Sequence, residues 1–414
     1  MAGLRLGPGG LGGSAVRARM LCVGAALAAL IVPATSHASA GMIVGAAEDA
    51  GKQPTLAGAK AQMDLARLAG LGAIRLTAQW TTGERAPLLG ELASLGNAVD
   101  AADLDGVTVF LSIYPRGSSV TPRTTQARSD FAAYAASLAQ ALPTVSRFIV
   151  GNEPNLNRFW MPQYGSGGRD EAAPAYESLL ARTYDAIKAV SPAAKVIGGA
   201  VSPRGNDSVV SRKHSPTTFI ADLGRAYRKS GRTRPIMDAF SLHPYEDNSS
   251  IPPTLTHPHA TTISIADYPK LVRLLAKAFG GTAQPGSGLP IVYDEFGVQS
   301  VVPAAKRIVY DGFKPRSERP VSEATQAAYY AEAIALTACQ PTVTALLLFH
   351  VTDEPSLDRW QSGLYYADDT PKTSLPIVQH AIGLLHANDV GACDAEGARL
   401  FAQLAETPAP APSG

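Results

Sequence analysis

The sequence predicts an α/β fold, a single-domain (β/α)8 TIM barrel, from three observations: short β-branched runs alternate with longer Ala/Leu-rich segments, the alternation persists along nearly the whole chain after residue 40, and the β-like runs number eight. Alternating strand and helix implies a parallel sheet, and eight such strands close on themselves. In chain order, the strand-like run 42–44 precedes a helical stretch over 56–69, 73–76 precedes 88–102, 107–113 precedes 126–141, and 147–150 precedes 173–190. The second half repeats the pattern: 195–198 with 217–230, 239–242 with 268–279, 290–293 with 322–338, and 344–349 with 374–387. Ser322 is placed as a helix N-cap, and Gly231 follows the last turn of its helix. A doubly wound open sheet is the alternative, but Gly45-Ala46-Ala47-Glu48 after the first strand is not the Gly-rich phosphate turn that such folds carry.

The flanks read differently. Arg5, Arg17 and Arg19 precede an apolar stretch from Met20 to Val32, and Ala38-Ser39-Ala40 offers small residues at the spacing a signal peptidase accepts. Residues 1–40 are therefore expected to be a secretory signal peptide, with a secreted protein as the consequence. The apolar stretch is shorter than the roughly 20 residues a membrane anchor needs. The barrel is expected over residues 41–395, with 396–414 a C-terminal tail whose Pro/Ala-rich end, 407–414, has nothing to bury. The chain carries 36 basic and 35 acidic residues, and loss of the three leader arginines leaves a slight acidic excess. That balance excludes nucleic acid as a partner, since a phosphate backbone selects basic surfaces. The protein is expected to be a monomer without membrane insertion after cleavage. Removal of Cys22 leaves Cys339 and Cys393, an even pair in an exported chain and hence an expected disulfide.

Two strand ends carry carboxylates. Phe148-Ile149-Val150-Gly151-Asn152-Glu153 ends the fourth strand, and Pro290-Ile291-Val292-Tyr293-Asp294-Glu295 ends the seventh. Side chains at the C-terminal ends of barrel strands point into the mouth, where these folds place catalysis. Carboxylates from strands four and seven face each other across a narrow barrel, as a glycosidic linkage requires. Strand alternation is expected to turn Asp294 away from the mouth if Glu295 faces it, leaving it a barrel-wall residue or a supporting partner of the site. The string Asp-Glu-Phe-Gly is not a kinase metal motif, because no nucleotide loop accompanies it.

On these residues the chain resembles the retaining barrel glycosidases of clan A, among them the family 5 cellulases and family 39 xylosidases. The resemblance spans the chain after the leader. It implies Glu153 as acid/base, after an Asn at the end of strand four, and Glu295 as nucleophile at the end of strand seven. It further implies that Arg75 holds the nucleophile ionised, that Asn152 bonds the sugar 2-hydroxyl, and that His243-Pro244-Tyr245 touches nucleophile and sugar. Trp360, in the segment after strand eight, is expected to stack on a sugar face, as are Trp80 and Trp160, with ordinary packing the alternative for each. Two departures stand out: strand three ends Leu111-Ser112-Ile113-Tyr114, without the His found there in family 5, and strand eight ends Phe349-His350, where many clan members carry Trp.

No cofactor is expected. His257, His259 and Asp247 lack a recognised metal spacing, and strand ends supply only His243 and His350 toward a metal-dependent hydrolase. A barrel that binds carbohydrate without cleaving it is the competing function, and the intact carboxylate pair argues against it. The expected partner in either case is a poly- or oligosaccharide.

Overall fold

Residues 41–406, together with Gly9, are described by a computed structural model of the chain. The signal peptide expected over 1–40 and the end expected over 407–414 lie outside the described residues. Eight parallel strands form a closed barrel in sequence order: β1 (Ile43–Ala47), β2 (Ala73–Trp80), β3 (Thr108–Pro115), β4 (Arg147–Val150), β5 (Lys195–Val201), β6 (Ala239–Leu242), β7 (Ile291–Phe296) and β8 (Val343–Leu348). Closure is made by β1 pairing with β8, with Val44 opposite Leu346. The surrounding helices are α1 (Leu56–Leu68), α2 (Leu89–Asp105), α3 (Thr125–Ala141), α4 (Ala172–Val190), α5 (Pro216–Ser230), α6 (Tyr268–Phe279), α7 (Glu323–Ala338) and α8 (Leu375–His386). Both end signals hold: the Ser322 hydroxyl accepts from Thr325 N, and Gly231 closes α5 in the left-handed conformation.

Strand side chains alternate between two cores. Inward positions Ala73, Phe110, Ile149, Ile197, Ala239, Val292, Ala345 and Leu347 fill the barrel, while the larger apolar set packs between sheet and helices. Strands β2 and β5 run several residues past their apolar runs. On β2 the extension holds Thr77 and Gln79, which point inward to a polar cleft, so hydrophobic pattern stops before the hydrogen-bonded ladder does.

A ninth helix, α9 (Ala395–Glu406), corrects the boundary expected at residue 395. Phe401, Ala398, Ala402 and Ala405 are buried where α9 packs on α7 and α8, so the segment is part of the fold rather than tail. The Cys339–Cys393 disulfide ties the end of α7 to the start of this helix, with Cα atoms 5.4 Å apart. No described helix is long and apolar enough to cross a membrane.

Candidate active site

Two irregularities in the sheet build the site. Pairing of β5 with β6 shifts between Gly198 and Val201, a bulge in which Gly199 (φ 106°) and Ala200 (φ 46°) take left-handed backbone. The displaced Ala200 carbonyl accepts from Glu153 N at 2.7 Å. Gly151 leaves β4 at φ 96°, where a Cβ would meet the Tyr176 ring at 2.8 Å, and Glu153 itself sits at φ 41°. The buried Tyr176 hydroxyl donates to Val150 O at 2.6 Å and accepts from Gly199 N at 2.7 Å, locking β4 to the bulge. Glu153 is thus aimed by a strained backbone that its neighbours hold in place.

The second bulge lies in β7, where register with β8 shifts between Tyr293 and Phe296. Asp294 follows Val292 on the inward parity, and the extra residue brings Glu295 inward beside it. Asp294 stays out of the cleft lining and backs the site from the barrel wall, as expected, although a bulge rather than simple alternation decides which of the two side chains reaches the mouth. Asp294 is fully buried, with Oδ2 3.7 Å from Arg75 Nε and 3.4 Å from His243 Nε2.

Arg75 projects from β2 into this pair. Its Nη1 donates to Glu295 Oε1, and Nη2 donates to Asn152 Oδ1 at 3.2 Å and Ser112 Oγ at 3.1 Å. His243 Nδ1 lies 3.2 Å from Glu153 Oε1 and 3.3 Å from Glu295 Oε2, and the Tyr245 hydroxyl donates to Glu295 Oε2 at 3.1 Å. Burial alone would lower the His243 pKa, but Glu295 and Asp294, followed by the bonds to Asp294 and Glu153, raise it to about 10. Burial would raise the Glu295 pKa, yet His243, Arg75 and the Tyr245 hydroxyl hold it below the usual carboxylate range. Arg75 is raised in turn, as Glu295 and Asp294 outweigh its desolvation.

Above these groups opens a cleft of about 600 Å³, lined by Arg75, Asn152, Glu153, Tyr245, Glu295 and Trp360 among others. Trp360 is half-buried, its ring 5.0 Å from Tyr245 and 5.3 Å from Phe349. The other two tryptophans do not join it. Trp80 is fully buried on the outward parity of β2, edge-on to Phe131 at 5.6 Å, with Nε1 donating to Glu84 O at 2.7 Å. Arg75 inward forces Trp80, five residues on, outward. Trp160 is 1% exposed and packs edge-on to Tyr176 at 5.9 Å. A ring with no free face has none to offer a sugar, so the stacking expected of both is corrected to packing.

The cleft also holds His350, weighed above only as a strand end and metal ligand, and residues that the sequence did not single out for the site: Glu48, Tyr114, Arg116, Arg158 and Arg204. All but Arg158, which sits well into the loop after β4, end or closely follow a strand, which was the available signal. His350 Nδ1 bonds Ala47 O at 2.7 Å, joining β8 to β1. Beneath Trp360, buried Lys372 donates to Asp353 Oδ1 at 2.7 Å, Ser300 Oγ at 2.9 Å and Gln361 O at 3.2 Å. That network fixes the loop carrying the ring.

No protein-family model and no curated protein matches the chain. Solved structures do. A family 39 glycoside hydrolase from Bacteroides cellulosilyticus aligns at 19% identity and TM-score 0.59, over 85% of this chain and 65% of that one. A glucosidase from Croceicoccus marinus aligns at 13% and 0.57, over 83% and 68%. A monomeric β-xylosidase from Caulobacter crescentus aligns at 17% and 0.51, over 82% and 67%. The likeness is one of fold. This chain therefore spans less than two thirds of the first of these relatives, and what its own barrel does rests on the side chains described above.

The residues weighed for a metal do not gather. His257 Nδ1 bonds Asp267 Oδ2 at 2.9 Å, Asp247 pairs with Arg204 at 3.3 Å, and His259 is exposed. Elsewhere, Asp170, His214 and Asp222 bring one ligand atom each within 4.8 Å of one another. There Asp170 Oδ1 already accepts from Ala172 N and Ala173 N and pairs with His214 Nε2 at 3.2 Å, while Asp222 pairs with Arg225.

Proposed function

We propose that this protein is a secreted, monomeric, retaining O-glycoside hydrolase acting on a poly- or oligosaccharide, with Glu295 as nucleophile and Glu153 as acid/base. One observation carries the reading. Glu153 and Glu295 both contact His243 Nδ1, at 3.2 and 3.3 Å, so those two oxygens are at most 6.5 Å apart across the cleft. Retaining enzymes hold their carboxyl groups about 5–5.5 Å apart, whereas inverting ones need about 6.5–9.5 Å to admit water. The two environments also differ in the sense the chemistry needs. Arg75, His243 and Tyr245 keep Glu295 ionised and aimed, as an attacking carboxylate must be. Among the described residues the Glu153 carboxylate bonds His243, without the arginine that holds Glu295, and its bulge-held backbone sets it toward the leaving oxygen. Asn152, its Oδ1 taken by Arg75, keeps its amide N–H groups for a sugar hydroxyl. The named relatives are a glycoside hydrolase, a glucosidase and a β-xylosidase, which agrees with a carbohydrate substrate.

The test is a screen of chromogenic aryl glycosides followed by two variants. Glu295→Ala is expected to lose activity on every substrate. Glu153→Ala is expected to keep glycosylation by acidic phenols, stall at deglycosylation, and regain turnover with azide, giving a glycosyl azide of the substrate's own anomeric configuration. An inverted first-formed product, read by NMR before mutarotation, overturns Glu295 as nucleophile. Carbohydrate binding without turnover in any of these would return the reading to a binding barrel.

A further inference from the structure

The charge on the two lips of the cleft is uneven. Arg116 follows the end of β3, Arg158 lies in the loop after β4, and Arg204 follows the end of β5, three neighbouring strands of the barrel. Arg116 and Arg158 are exposed, and neither guanidinium has a hydrogen-bond or carboxylate partner among the described residues. Arg204 donates to Tyr245 O at 2.8 Å and reaches Asp247 at 3.3 Å. Apart from Glu153, the cleft residues from these three strands and their loops include no acid.

The opposite lip, from β8 and β1, is acidic and already satisfied. Glu48 accepts from Ala50 N at 2.8 Å and Thr352 N at 3.3 Å, and Glu354 accepts from Trp360 N at 3.0 Å. Arg359 lies on that lip too, on the side that carries Glu48, Asp49 and Glu354. By count, cations outnumber acids on the β3–β5 side, where Arg116, Arg158 and Arg204 face Glu153 alone, while acids outnumber cations on the opposite lip.

An acid/base residue stands beside the leaving oxygen, so the lip that carries it is the one the leaving group lies on. We infer that the leaving-group side of the substrate is anionic, an acidic sugar bearing a carboxylate or a sulfate ester, held by Arg116 and Arg158, while the sugar that is attacked is neutral. The inference rests on the hydrolase reading above. Guanidinium groups suit either anion, because their planar fork matches two oxygens at once. The Phe159 ring, 5.3 Å from Arg158 Cζ and lining the same lip, offers an apolar face beside the cation for the C–H side of that sugar.

The experiment uses glycosides of whichever sugar the screen identifies, joined to 4-hydroxybenzoate or to its neutral amide. A parallel pair carries 4-hydroxybenzenesulfonate and its sulfonamide. In each pair the charged phenol is the poorer leaving group, so a preference for it cannot come from the chemistry of departure. Wild-type protein is expected to favour the anion in kcat/KM by about tenfold at low salt, mostly through KM, with the preference fading as salt screens it. In the Arg116→Gln/Arg158→Gln double variant the ratio is expected to fall to about one. Preference within the benzoate pair alone assigns a carboxylate, and within the sulfonate pair alone a sulfate ester. Equal rates in both pairs, or a ratio that survives the double substitution, overturns the inference while leaving the hydrolase reading intact. If no aryl glycoside is turned over, the hydrolase reading falls separately. Calorimetric titration of oligogalacturonate and sulfated cello-oligosaccharide then decides the charge: salt-sensitive binding lost in the double variant supports it, and no binding or unchanged binding overturns it.

Discussion

Arg75→Ala tests the centre of the site most directly. The guanidinium is 2% exposed and donates to Glu295, Asn152 and Ser112, so its removal takes the donor from three acceptors at once. A hydrogen bond to a charged group contributes about 1.5–3 kcal/mol net, and loss of the one to Glu295 alone corresponds to about ten- to 150-fold in rate if it serves attack. The loss is expected in kcat, with KM little changed, because the arginine keeps the nucleophile ionised and aimed rather than binding the sugar. Stability falls as well: removing one partner of a buried ion pair costs about 3–5 kcal/mol, here toward the lower value because His243 remains as a counter-cation to Glu295. Rates are therefore measured below the variant's unfolding transition, with kcat and KM separated and folding checked by circular dichroism. The pH profile supplies the readout that a purely structural role would not move. With Arg75 gone, the Glu295 pKa rises, so the acid limb of kcat shifts to higher pH. Arg75→Lys, which keeps charge but not the fork, is expected to restore part of both. A folded Arg75→Ala protein with unchanged kcat, or with its acid limb unmoved, refutes the reasoning.

Trp360→Ala is expected to raise KM for substrates that reach its ring, whereas Trp80→Ala, which empties a fully buried site, is expected to cost about 3–5 kcal/mol of stability, read by denaturant unfolding; the reverse pattern would contradict the placement of the two rings. Cys339→Ser/Cys393→Ser opens a loop with a sequence separation of 54 residues and is expected to cost about 4 kcal/mol in the chain-entropy model, measured as a shift in the unfolding midpoint, with two free thiols in folded wild-type protein as the contrary result. His243, whose pKa is raised to about 10, contributes stability that is fully present below its unfolded value of about 6.5 and lost as pH rises through about 10; thermal unfolding across that window should steepen the decline in wild type relative to His243→Gln, and parallel curves would show that His243 is not the titrating group.

The sequence by itself determined the parts that follow from period and position. Eight apolar runs alternating with helical segments close a barrel, and residues just past strand ends face its mouth. That logic reached Arg75, Asn152, Glu153, His243, Tyr245, Glu295 and Trp360, all of which come together at one end of the barrel. It also reached the disulfide, since two cysteines leave one pairing. Parity was available too: an inward Arg75 implies an outward Trp80, a consequence the residue type obscured because aromatic rings suit sugars and cores equally. Three things belonged to the tertiary structure. The bulges of β5 and β7 are shifts in pairing between strands distant in sequence, so nothing local marks Glu295 and Asp294 as facing the same way or Ala200 as the anchor of Glu153. The helix over Ala395–Glu406 owes its place to a face buried on α7 and α8 rather than to its own propensity. The sign of charge on each lip depends on which arginines find partners across loops, and a net charge near zero conceals it.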